Sequence, residues 1–202
     1  MSVQIQKHYF SVDDYYRMAD AGVFPIDARV ELIDGEVIEM SPIGNRHAAC
    51  VDRLGMLLNH IFYGKAIVRV QNPVRLNDFS EPEPDIALLK PRKDFYATAH
   101  PTPADVLLII EVADTSVDFD LRVKLPLYAR AGIPETWVLV LPKDLIEVHS
   151  QPLNGKYQKV QRLKRSPNTI NGSSSCLKRR RRSLLKKVTT RPRSATSRAP
   201  QR

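Results

Sequence analysis

The sequence predicts an α/β (α+β) fold, with a mixed central sheet flanked by helices and an N-terminal helix and hairpin beside it. Three stretches carry this expectation. Between Asp105 and Leu141 an apolar run, Val106 to Ile110, precedes a polar turn, a helical segment and a second apolar run, Trp137 to Leu141. By length and β-branched content that is strand, loop, helix, strand, close to a βαβ unit. From His47 to Phe62 the apolar positions Cys50, Val51, Leu54, Leu57, Leu58 and Ile61 recur at helical spacing, as in an amphipathic helix packed on a sheet. VELIDGEVIEM sets two short apolar arms around Asp34-Gly35, a pair that accepts the positive φ angles of a type I′ turn.

The other elements follow in chain order. Ser11, with Asp14 three residues on, marks a helix N-terminus for SVDDYYRMADAG, which Gly22 ends. AIVRVQNPVRL reads as a strand bent or bulged at Asn72-Pro73, because proline cannot donate to a ladder. EPEPDIALLK is the next strand, stiffened on its approach by Pro82 and Pro84, and KDFYATAHPTPA is a surface connection. From Asp120 to Ala131 a helix places Leu121, Leu125 and Tyr128 on one face, with Asp120 and Lys124 four apart. Pro126 deprives the Arg122 carbonyl of its helical donor and is expected to bend that helix. LIEVHSQ and GKYQKVQRL form a last hairpin.

Composition places one domain at 1–165 and a separate tail at 166–202. The tail is polar, basic and of low complexity, a composition expected to stay disordered. It holds eleven Lys and Arg and no acid, so subtracting 11 from the net +9 leaves −2 for residues 1–165. The high pI therefore describes the tail and not a basic face on the domain. No apolar run approaches the roughly 20 residues of a membrane span, and the first thirty residues lack a signal peptide's apolar centre. The expectation is a cytoplasmic protein without membrane contact. Cys50 and Cys176 give neither a disulfide framework nor zinc spacing, and Cys50 fits as a small core residue.

Two acids close or open apolar strands. Glu111 follows Val106 to Ile110, and Asp85 precedes Ile86 to Leu89. A carboxylate at a buried strand end must be solvated, paired or bound to a cation. Each alone is readily a solvated strand end; together, with Lys124 on the adjoining helix, they suit a hard divalent ion and a phosphate ester.

The residues ELIDGEVIEMSP with His47, then PEPDIALL, then IIEVADTSVDFDLRVKLPLYARAGIPETW, resemble the bacterial putative restriction endonuclease family of the PD-(D/E)XK nuclease superfamily. The resemblance spans nearly all of 1–165. It implies a restriction-endonuclease-like core and a metal-dependent phosphodiesterase site. Pro84-Asp85 matches the PD half and Glu111 the (D/E) half. The usual lysine two residues on is replaced by Ala113, and Lys124 stands where the family carries it on the following helix. Glu31 matches an acid often supplied from the N-terminal part, or is a surface hairpin charge. His47 falls at a recurring family position, or is a helix cap. Asp120 either orients Lys124 or forms a surface pair with it. Gln71 is a weaker candidate for substrate contact, and Trp137 is simplest as core. Val140 and Leu141 stand where the family pattern carries an acid, and the basic tail replaces folded chain.

What the resemblance implies is a DNA endonuclease in which Asp85 and Glu111 hold Mg²⁺ or Mn²⁺ and Lys124 positions water or stabilises the phosphorus centre. Glu31, His47 and Asp120 would support them, leaving 5′-phosphate and 3′-hydroxyl ends, with homodimerisation left open. The rival is a non-catalytic, degenerate nucleic-acid-binding protein that uses its basic tail.

Overall fold

A computed structural model describes residues 6–164. The basic stretch 166–202, with the disorder expected of it, lies outside the described residues.

Helix α1 (Val12–Asp20) starts at Ser11, whose hydroxyl accepts from the Asp14 amide while the Asp14 carboxylate accepts from the Ser11 amide. That reciprocal pair satisfies two donors a helix start leaves free. Strands β1 (Val30–Ile33) and β2 (Glu36–Glu39) form the expected hairpin, and both turn residues have positive φ, 48° at Asp34 and 80° at Gly35. Gly35 is also required by space, since a Cβ there would meet the Tyr9 Cβ at 2.6 Å.

The main sheet runs β3-β4-β5-β6-β7-β8. Its strands are β3 (Ile67–Val70), β4 (Ile86–Leu89), β5 (Val106–Ala113), β6 (Glu135–Val140), β7 (Leu145–Leu153) and β8 (Lys156–Lys164). All neighbours are antiparallel except β5 and β6, the parallel pair of the expected βαβ unit. Helix α2 (Asn45–Phe62) covers one face, packing Cys50, Val51, Leu54, Leu58 and Phe62 against Leu88, Leu108, Ile110, Val112, Trp137 and Leu139. On the other face Leu127, Tyr128 and Ile133 pack on Ala87, Leu89 and Ile109. Because side chains alternate along a strand, β5 sends Ile110 and Val112 towards α2 and Glu111 to the opposite face. That parity decides where the site forms.

Three local expectations are corrected. The segment after β5 is not one bent helix. It comprises α3 (Val117–Phe119), a π-helical turn (Asp120–Lys124) and α4 (Leu125–Arg130), with the Leu125 N–H bonded to the Asp120 carbonyl. Pro126, which has no N–H, thus falls in the first turn of α4, where none is needed. The strand expected to bend at Asn72-Pro73 instead ends at Val70, and Gln71 turns away at φ 49°. The connection at 93–104 is not wholly on the surface: Tyr96 is buried in the second cluster and donates to the Lys90 carbonyl at 2.9 Å.

Candidate active site

Asp85 and Glu111 meet where β4 runs antiparallel to β5. Ile86 pairs with Ile110, so the residue before one strand lies beside the residue after the other's pair. The Asp85 amide donates to Glu111 Oε2 at 3.2 Å, and the Val112 amide donates to Asp85 Oδ2 at 2.8 Å. Each carboxylate is thus fixed by the backbone of the other's strand. Asp85 also accepts from Gln71 Nε2 at 3.2 Å, and its Oδ2 lies 2.9 Å from His47 Nε2 at the start of α2.

The π-helical turn brings Lys124 over the opposite end of Glu111. Its Nζ lies 3.0 Å from Glu31 Oε2 and 3.6 Å from Glu111 Oε1, and all three side chains are nearly closed to solvent. One turn on, Tyr128 donates to Glu111 Oε1 at 2.6 Å. Glu31 is no surface hairpin charge: its Oε2 accepts from the Glu83 amide at 3.0 Å, and its Oε1 is buried with no hydrogen-bond partner among the described residues. Asp120 is buried too and accepts from Ser116 Oγ at 2.6 Å. It makes no ion pair with Lys124 among the described residues, so the surface pair expected from their spacing does not form. Trp137 is core, its indole N–H donating to Glu135 Oε1 at 2.7 Å.

Burial shapes the electrostatics. It pushes Glu111 up to about 8, against the opposing pull of Lys124. Burial alone would lower the Lys124 ammonium, but Glu111, Glu31 and Asp120 outweigh it and its pKa moves up. Asp120 is raised by burial, partly offset by Ser116. His47 is raised, chiefly through its hydrogen bond with Asp85. Glu83 is raised by burial and then by Glu31.

These groups line a cavity of about 480 Å³, whose wall also includes Arg29, Glu39, Asp114 and Phe119. Seven carboxylates (Glu31, Glu39, Glu83, Asp85, Glu111, Asp114, Asp120) face it against two permanent cations, Arg29 and Lys124. Glu83, Arg29 and Tyr128 were not singled out from sequence. Glu83 had a signal, because it shares strand parity with Asp85 across Pro84; Tyr128 had the four-residue step from Lys124. Arg29 had none. Among the described residues no group of three or more His, Cys, Asp or Glu is arranged to hold a metal ion.

In solved structures the chain is similar to a protein from Anabaena variabilis ATCC 29413 described as a "putative nuclease belonging to DUF820". Identity is 14%, the TM-score is 0.61, and the match covers 87% of this chain and 99% of that one, which shows a shared fold. No curated protein matches the chain. The family model of Uma2, described as "Putative restriction endonuclease", matches residues 12–176. With most of the chain inside that match, and the fold in agreement, the chain belongs to the Uma2 family.

Proposed function

We propose that this protein is a divalent-metal-dependent DNA endonuclease in which Asp85 and Glu111 hold the cation and Lys124 stabilises charge on the scissile phosphate. What supports the reading is that all three side chains line one cavity, with the Asp85 amide on Glu111 Oε2 and the Lys124 ammonium 3.6 Å from Glu111 Oε1.

The donor set fits a hard divalent ion. Two carboxylates suffice where substrate oxygens and water complete the shell, so a third protein acid is not required. Seven carboxylates against two cations also make the cavity hostile to a phosphate ester unless positive charge is added. Bound Mg²⁺ or Mn²⁺ supplies that charge and a water of lowered pKa.

The chain's own residues orient and stabilise. Gln71, His47 and the Val112 amide fix both oxygens of Asp85. Tyr128 and the Asp85 amide fix those of Glu111. Lys124, held as an ammonium by Glu31 and Glu111, cannot take a proton from water. Its role is to donate to a non-bridging phosphate oxygen as negative charge gathers there. Attack by water at phosphorus with breakage of the P–O3′ bond leaves a 5′-phosphate and a 3′-hydroxyl.

Plasmid nicking by full-length and tail-less protein, with Mg²⁺ or Mn²⁺ and with EDTA, tests the proposal. Metal-dependent nicking abolished in Glu111→Gln is expected. DNA retention without cutting in either metal would favour the non-catalytic reading, in which the stretch 166–202 binds nucleic acid.

A further inference from the structure

Beyond the acids and the two cations, Arg29 and Lys124, the cavity wall carries apolar side chains that suit a base. We propose that it seats one unpaired nucleotide beside the scissile phosphate, so that the substrate is single-stranded or locally unpaired DNA in preference to intact duplex. This rests on the nuclease reading above.

Three observations carry it. The groups that must reach the phosphate are deep: Glu111 is 3% and Lys124 6% exposed, and they lie within a cavity of about 480 Å³. That volume falls in the roughly 300–1,000 Å³ range of sites that enclose one small molecule. Duplex DNA is stiff and carries its phosphates on a broad surface, so a phosphate is delivered to this depth more easily from an unpaired or extruded nucleotide.

Secondly, the wall includes apolar side chains that a phosphate-only site would not need. Ile38, Met40, Pro42, Ile43 and Phe119 line it. Ile43 is 41% exposed, an aliphatic side chain left on a loop with no core to join. Flat apolar walls hold the faces of an extruded base, and such contacts are indifferent to which base it is.

Thirdly, Glu39 and Asp114 border the same cavity, and neither belongs to the proposed cation pair. Carboxylates repel the neighbouring phosphates of a continuous backbone but accept hydrogen bonds from the exocyclic amines of bases. Pairing ties up one N–H of each such amine, and only an unpaired base offers both.

The experiment uses the full chain and one sequence in three forms: single strand, perfect duplex, and duplex with an internal unpaired bulge. Cleavage is followed in Mg²⁺ or Mn²⁺. In parallel, 2-aminopurine at the target position reports base capture in EDTA, where no cutting occurs. Single strand and bulge are expected to be cut at least about ten-fold faster than duplex, with the bulge cut at its unpaired position. Ile43→Ser should raise KM for the single strand about ten-fold, more than it lowers kcat, and weaken the 2-aminopurine signal by a similar factor. Duplex cut as fast as single strand would overturn the pocket inference and leave the nuclease reading standing. A saturable, Ile43-dependent 2-aminopurine signal with no cutting in either metal would do the reverse. Absence of both cleavage and signal would overturn both.

Discussion

Lys124 lies 3.0 Å from Glu31 Oε2, an ion pair closed to solvent that joins the π-helical turn to the N-terminal hairpin. The same ammonium is 3.6 Å from Glu111 Oε1, so it balances two buried acids at once. Lys124→Ala should therefore cost stability as well as activity, about 3–5 kcal/mol, because it leaves buried carboxylates uncompensated. Lys124→Met, which keeps the bulk of the stem, should lower cleavage by about 10²–10⁴-fold. Cleavage near the wild-type rate by a folded Lys124→Met protein would remove the lysine from the mechanism. Circular dichroism melts alongside nicking rates separate the two effects.

Tyr128 offers a narrower test. Its hydroxyl is the hydrogen-bond donor to Glu111 Oε1. Tyr128→Phe deletes one oxygen and leaves a buried acceptor short of a partner, at a cost of about 1–3 kcal/mol. The freed carboxylate should also be less well oriented, so Mg²⁺ binding measured by calorimetry should weaken by about ten-fold, within the range seen for residues that orient metal ligands. An unchanged Mg²⁺ affinity would mean that Tyr128 is only a packing residue.

The pH dependence of stability follows from Glu111. A glutamate free of its surroundings titrates near 4.5, whereas burial moves this one to about 8. Between those values the native state holds a proton that the unfolded chain has released. The metal-free protein should thus lose stability as pH rises from about 4.5 to about 8. A cation must displace that proton, so the apparent Mg²⁺ affinity should climb across the same window, by up to roughly ten-fold per pH unit. Tm measured with and without Mg²⁺ as a function of pH checks both slopes, and Glu111→Gln should flatten them. A Tm gain from Mg²⁺ that ignores pH would count against Glu111 as a ligand.

Arg29 is the other permanent cation on the cavity wall and makes no ion pair within 4 Å among the described residues. A guanidinium in that position is placed to hold a phosphate as the substrate enters. Arg29→Ala should raise KM for DNA by about five- to ten-fold with a smaller change in kcat, since uniform binding is what it removes. A selective loss of kcat would instead place Arg29 at the reacting phosphate.

The division between sequence and tertiary structure runs through particular residues. The helix start at Ser11-Asp14, the Asp34-Gly35 turn and the parallel β5–β6 unit were legible because each depends on a local rule: a cap, a positive φ, an apolar period. Asp85 and Glu111 were legible for a related reason, since an acid beside or inside a buried strand has to be paired with something, and β5 runs on past Glu111 to Ala113. Their mutual hydrogen bonding needed the antiparallel register of β4 on β5, which no local pattern encodes.

Lys124 reaches Glu111 only because the chain widens by one π turn before Pro126, and only because Glu111 has the parity that faces α4 and not α2. Glu31 reads in sequence equally as a site acid or a hairpin charge, because its burial comes from contacts far away in sequence: Lys124 and the Glu83 amide. Glu83 and Arg29 join the site across the same fold, from stretches whose local sequence resembles any polar approach to a strand. The sequence by itself determined the elements and which acids would need partners. The partners themselves, and the cavity in which they meet, were decided by long-range packing, because burial and charge pairing are set by distance in space and not by distance along the chain.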